Sequence, residues 1–133
     1  MRKARSSGIG VSAGSNVEIV DFSHCGSDAF GRLNREWLEK FFRVEPIDEE
    51  MLSDPQSTII DPGGAILYAL ENRTDVLGTV ALKYHGEGVF ELTKMAVNEG
   101  SQGRGLGRLL LRAAVKRFAE LDGEMLYLES HSS

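Results

Sequence analysis

The chain has 133 residues, 41% of them hydrophobic and 26% charged, with a formal net charge of −5, which is the size and composition of one globular domain. Excess acid repels phosphate backbones, so nucleic acid is not expected as a partner, whereas a cationic acceptor such as an amine suits it. One cysteine allows no disulfide framework and no CxxC metal or redox pair, and with no apolar run of membrane length and no secretory h-region the expected location is cytoplasmic, off the membrane.

Residues 1–16 carry Arg2, Lys3 and Arg5 and no acid among serines and glycines, and are expected as a disordered or flexible lead-in to a domain over 17–133. A first strand is expected at 17–21. Ser27 or Asp28 then caps a helix on which Phe30, Leu33, Trp37, Leu38 and Phe41 recur at helical spacing. Asp48 caps a short second helix through Met51 and Leu52, stopped by Pro55. After the turn residues at 61–64 come strand-like runs at 65–71, 76–84 and 89–97. Their connections are short enough for hairpins, which makes the three strands an antiparallel meander. A Gly-rich stretch at 100–107 opens the strongest helix, whose buried stripe is Leu106, Leu110, Ala113, Ala114, Phe118 and Leu121. Gly123 ends it, and 125–129 reads as a last strand. The order β-α-α-β-β-β-α-β makes an α+β domain with no internal repeat.

The stretch that carries chemistry is Gln102-Gly103-Arg104-Gly105-Leu106-Gly107, between a strand and an amphipathic helix. Glycine permits positive φ and a close approach of backbone to ligand. The N–H groups of a first helical turn, with the helix dipole, attract a pyrophosphate, and Arg104 and Arg108 add positive charge there. An isolated loop of this kind is as readily a flexible helix start. A P-loop is excluded, because no Gly-Lys pair occurs. A dinucleotide fingerprint fails at its third glycine, which falls on Arg108. Even so, Gly107 is one residue away and Glu129 stands where a ribose-binding acid belongs. A Rossmann-type nucleotide-binding half-unit is therefore an alternative, opposed by the hairpins where parallel βα units should stand.

Gln102 to Gly107 followed by Arg108-Leu109-Leu110-Leu111 resembles the Q/R-x-x-G-x-G/A motif of the GNAT family of N-acetyltransferases. The run Glu91-Leu92-Thr93-Lys94-Met95-Ala96-Val97 resembles the family's fourth strand, which leads into that motif. Gly78 to Leu82 is similar to its third strand, and Leu126 to Ser130 to its fifth. The resemblance spans about 17–133 in the family's element order. It implies the acyl-CoA N-acyltransferase fold, a mixed and mainly antiparallel sheet flanked by helices. It also implies acetyl-CoA as co-substrate and a small-molecule or peptide amine as acceptor. On this resemblance the pantetheine arm lies against the backbone of Met95, Ala96 and Val97, and the pyrophosphate on the N–H groups of Gln102, Gly103, Arg104, Gly105, Leu106, Gly107 and Arg108. A neutral amine attacks the thioester carbonyl directly, and a backbone N–H near Met95 stabilises the oxyanion.

The candidate general base is Glu91. By strict alternation it shares a face with Thr93 and Met95 unless a bulge shifts the register, and it reads equally as a solvated or ion-paired carboxylate. Glu129 is a weaker candidate. Arg104, Arg108, Arg112 and Lys116 form a basic stripe that is expected to be mostly solvated. His24, His85 and His131 lack metal-ligand spacing, so no metal is expected. Cys25 has no evident activating partner. Trp37, Phe41 and Phe42 are expected to cover the sheet, with one of them near the acceptor.

The family continues past its fifth strand with a helix and two further strands, and a tyrosine there commonly protonates the departing thiolate. The sequence ends at Ser133 without a match to that tyrosine. This implies an exposed strand edge, with a missing segment or with completion by a second chain, including a second copy in a homodimer. A non-catalytic acyl-CoA-binding module is the alternative to an enzyme.

Overall fold

The computed structural model describes residues 17–41 and 46–128. The expected lead-in at 1–16, Phe42, Glu129 and His131 lie outside the described residues. Strand β1 (Val17–Asp21) passes into a single turn of helix, α1 (Phe22–Cys25), then α2 (Asp28–Phe41) and α3 (Pro46–Ser53). A π-helical turn over Gln56–Ile60 leads to β2 (Ala65–Glu71), β3 (Asp75–Tyr84) and β4 (Val89–Val97). Helix α4 (Leu106–Glu120) and β5 (Met125–Leu128) follow.

Two helical details depart from the expected order. The turn α1 is too short to leave a periodic signature, and it is held by burial of Phe22. Helix α3 starts at Pro46 and not at Asp48, because proline's fixed φ suits a first helical position. Helix α2 buries Phe30, Leu33 and Leu38 and leaves Arg32, Glu36 and Glu39 in water. It is joined to α3 by Arg35, which donates to the Glu49 carboxylate at 2.5 Å and to Ser53 Oγ at 3.0 Å.

The five strands lie in sequence order, antiparallel from β1 to β4, with β5 parallel to β4. A parallel neighbour needs a long crossover, and α4 supplies it. The antiparallel run is the reverse of a nucleotide-binding βα half-unit, which removes that alternative. Helix α4 covers one face with Leu106, Leu110, Ala113 and Ala114. The other face is covered by α1, α2, α3 and the π-helical turn, through Phe22, Phe30, Leu38, Leu52 and Ile59. Strand β2 is consequently apolar on both faces, buried from Ala65 through Leu70. Tyr68, fully buried there, donates its hydroxyl to the Gly26 carbonyl, and burial pushes its phenol above the ordinary tyrosine range.

One irregularity positions the site. Thr79 pairs with Ala96 but Ala81 pairs with Thr93, so Lys94 and Met95 together stand opposite Val80. Lys94 takes φ +55° to make this bulge. Before it, Phe90 and Leu92 face α4; after it, Met95 and Val97 do. Strict alternation is thereby broken. Glu91 and Thr93 look toward the α2 face, and Met95 is on the opposite side of the sheet from Glu91.

Candidate functional site

Beyond the bulge, β4 runs through Thr93–Val97 with its described pairing to β5 already ended at Leu92 and Leu128. Asn98 turns the chain out of the strand. Its N–H donates to the Leu77 carbonyl at 2.7 Å, its side chain accepts from the Gly100 N–H, and its carbonyl accepts from Ser101. Ser101 is buried, while Gln102, Gly103, Arg104 and Gly105 are exposed.

Gly103 at φ +86° and Gly105 at φ +78° bend the chain into α4 through conformations that disfavour any side chain. No side chain caps α4, and its first turn holds no acid. Leu109 is the first residue to donate back, to the Gly105 carbonyl at 3.1 Å. The N–H groups of Leu106, Gly107 and Arg108 precede any intrahelical acceptor, and the positive end of the dipole is there. A Cβ added at Gly103 or Gly105 would meet nothing within 4 Å, and one at Gly107 only Met95 Sδ at 3.9 Å. Bare backbone donors at open space are a donor set that fits a phosphate.

Of the residues expected to hold such a ligand, Met95 and Val97 are half-buried against the α4 side, Met95 beside Gly107 and Val97 beside Gly78. Ala96 is buried, so only its backbone is available. Leu106 likewise inserts its side chain into the core and leaves only its N–H. Arg104 is engaged elsewhere, since its Nη2 lies 2.7 Å from Glu71 Oε2 at the end of β2. That hydrogen bond holds the Glu71 carboxyl below the usual carboxylate range. Arg108 and Arg112 are exposed, and Lys116 is 3.9 Å from Glu120, so the basic stripe is solvated as expected.

Glu91 is only 13% exposed at its side chain and meets His85 Nε2 at 2.8 Å. His85 in turn stacks on Tyr127 of β5, with ring centroids 5.8 Å apart. The sequence positions of His24, His85 and His131 carry no local sign of this contact. The hairpin register contains the missing signal: Lys83 pairs with Glu91, and residue 85 follows 83 on the same face. Among the described residues no three His, Cys, Asp or Glu side chains gather as a metal group. Burial pushes the Cys25 thiol up, away from a reactive thiolate. A recess of about 320 Å³ opens between β1 and α4, lined among others by Glu18, Asp21, His24, Lys116 and Arg117. None of the Gly-rich loop residues lines it.

Residues 31–133 match the family model described as the acetyltransferase (GNAT) family. Curated proteins include no significant match. Several solved structures share the fold. An acetyltransferase of the GNAT family from Staphylococcus aureus Mu50 superposes with a TM-score of 0.74 at 18% identity, over 86% of this chain and 72% of that one. A putative acetyl transferase from Pyrococcus furiosus gives 0.69 at 21% identity, over 88% and 84%. A predicted acetyltransferase with acetyl-CoA from Clostridium acetobutylicum gives 0.69 at 15% identity, over 87% and 82%. No helix among the described residues is long and apolar enough to cross a membrane.

Proposed function

Since the chain belongs to the GNAT family of acetyltransferases, enzymes of acyl transfer, we propose that it moves the acetyl group of acetyl-CoA to a primary amine by direct attack. The observation that carries this reading is the uncapped, acid-free start of α4, with Gly103 and Gly105 at positive φ, immediately after the bulge of β4. In the proposed assignment the N–H groups from Gln102 to Arg108 hold the pyrophosphate. Backbone groups of Met95, Ala96 and Val97 line the pantetheine arm. The contact that supports joining the two rows is that of Gly107 with Met95 Sδ, which a Cβ at Gly107 would meet at 3.9 Å.

Acetyl transfer then needs the acceptor ammonium to lose a proton, the nitrogen to bond to the thioester carbonyl carbon, and the C–S bond to break, with the electron pair leaving on the coenzyme A thiolate. A second proton leaves the nitrogen as the amide forms, and the thiolate gains one from solvent. Glu91, largely buried on the α2 face of β4, takes the role of base. A preorganised N–H at the bulge near Met95 takes that of oxyanion donor. Amine acceptors suit the acidic balance of the chain. The solved relatives include one named as a ribosomal-protein-alanine N-acetyltransferase from Brucella melitensis, so a peptide amine belongs in the acceptor panel beside small amines.

Calorimetric titration of acetyl-CoA into the whole chain, followed by coenzyme A release in the presence of the amine panel, tests the proposal. Binding with turnover supports the enzyme. Binding without turnover of any amine favours a non-catalytic acyl-CoA-binding module, and no binding by the folded chain removes the cofactor assignment.

A further inference from the structure

We propose that His85 is a positioning residue for the base: its Nε2–H donates to Glu91 Oε1 and fixes that carboxylate toward the acceptor side of β4. This rests on the assignment of Glu91 made above.

The turn between β3 and β4 places the histidine. Gly86, Glu87 and Gly88 all take positive φ, at +95°, +54° and +78°. His85 N–H donates to the Val89 carbonyl at 2.8 Å, and Val89 N–H to the Gly86 carbonyl at 3.0 Å. Tyr84 Oη accepts from the Gly88 N–H on the α4 side. Side chains alternate along a strand, so the ring of His85 is directed to the α2 side, where it reaches Glu91 at 2.8 Å.

A carboxylate with 13% of its side chain exposed needs a donor. Its cross-strand neighbour Lys83 directs its ammonium to the Thr58 carbonyl at 3.1 Å. The imidazole does what the lysine does not: it donates to Glu91 without placing a permanent cation beside it. A lysine there would lower the carboxylate's basicity and repel a cationic acceptor. Tyr127, which the parallel register places next to Glu91, supports the back of the imidazole. Among the described residues, Lys83 of β3 and Tyr127 of β5 are titratable neighbours of the pair.

The pairing is read first by nitrogen NMR of the imidazole in the whole chain, with Glu91→Gln as the perturbation. The expected ring is the Nε2–H form, with a resonance that moves in the variant. An Nδ1–H ring, or one indifferent to Glu91→Gln, overturns the proposal whatever amine the chain accepts. Coenzyme A release from acetyl-CoA is then followed with spermidine, an alanine-starting peptide and water alone as nucleophiles. His85→Ala is expected to lower kcat about tenfold at unchanged KM for acetyl-CoA, and His85→Gln, whose amide can still donate, to restore it to within about threefold. In a Glu91→Gln background His85→Ala is expected to add little, because the two act as a unit. A His85→Ala enzyme with wild-type kcat, or one failing through KM alone, overturns the positioning role. A Glu91→Gln enzyme at wild-type rate removes the base assignment itself and the proposal with it.

Discussion

Replacing Gly105 with alanine separates what the loop does for folding from what it does for binding. At φ +78° and ψ 14° the residue is left-handed, a conformation that costs a non-glycine residue roughly 1–2 kcal/mol. A Cβ there meets nothing within 4 Å, so no packing penalty adds to the strain. With about 4 °C per kcal/mol for a chain of this size, the melting temperature should fall by roughly 4–8 °C. Binding should suffer more. Relief of that strain would turn the N–H groups proposed to hold the pyrophosphate out of line, and losing one charge-assisted hydrogen bond of about 1.5–3 kcal/mol weakens acetyl-CoA roughly 10- to 100-fold. Gly100→Ala serves as control, because that position also has open space for a Cβ but no left-handed strain, and both readouts should stay near wild type. Thermal unfolding and calorimetric titration on the same samples make the comparison. A Gly105→Ala chain that melts lower but binds acetyl-CoA as tightly as wild type would refute the assignment of the loop.

Three further outcomes follow from the packing and the ion pairs. Gly123→Ala puts a Cβ 2.2 Å from the Phe118 ring, so urea unfolding should show a loss of about 1–3 kcal/mol from overpacking, and an unchanged midpoint would contradict the tight turn after α4. Tyr68→Phe removes the buried donor to the Gly26 carbonyl, and chemical denaturation should register about 1 kcal/mol; a stabilised variant would argue against that bond. Glu71 is held below its ordinary range by the Arg104 hydrogen bond, so its contribution is full above roughly pH 4.3 and is lost as the pH falls through the lowered folded value. The stability gap between wild type and Glu71→Gln should therefore close on acidification below that point, and a gap independent of pH would show that the pair is not its source.

Element order was legible because each device is local. Phe30, Leu33 and Leu38 mark α2 by spacing, and the residues at 72–75 and 85–88 are short polar connections that close hairpins. Leu106, Leu110, Ala113 and Ala114 mark α4 just after the glycines. What stayed hidden depends on three-dimensional register. Nothing in Thr93-Lys94-Met95-Ala96 announces that Lys94 turns left-handed, yet that residue decides which side of the sheet Met95 occupies. The Glu91–His85 contact spans six residues of sequence and exists only through the hairpin pairing. Arg104, read as a free positive charge, is held by Glu71 from a strand two places across the sheet, a partner that no local pattern contains.

The bulge at Lys94 also bears on how such a chain can change over time. A strand of uniform phase couples its two ends, since a shift of register reverses every side chain along it. Here the extra residue absorbs such a shift, so the stretch carrying Glu91 and Thr93 can change while Met95 and Val97 keep their orientation toward α4. Substitutions on the two stretches should accumulate independently, which gives one strand two separately adjustable surfaces.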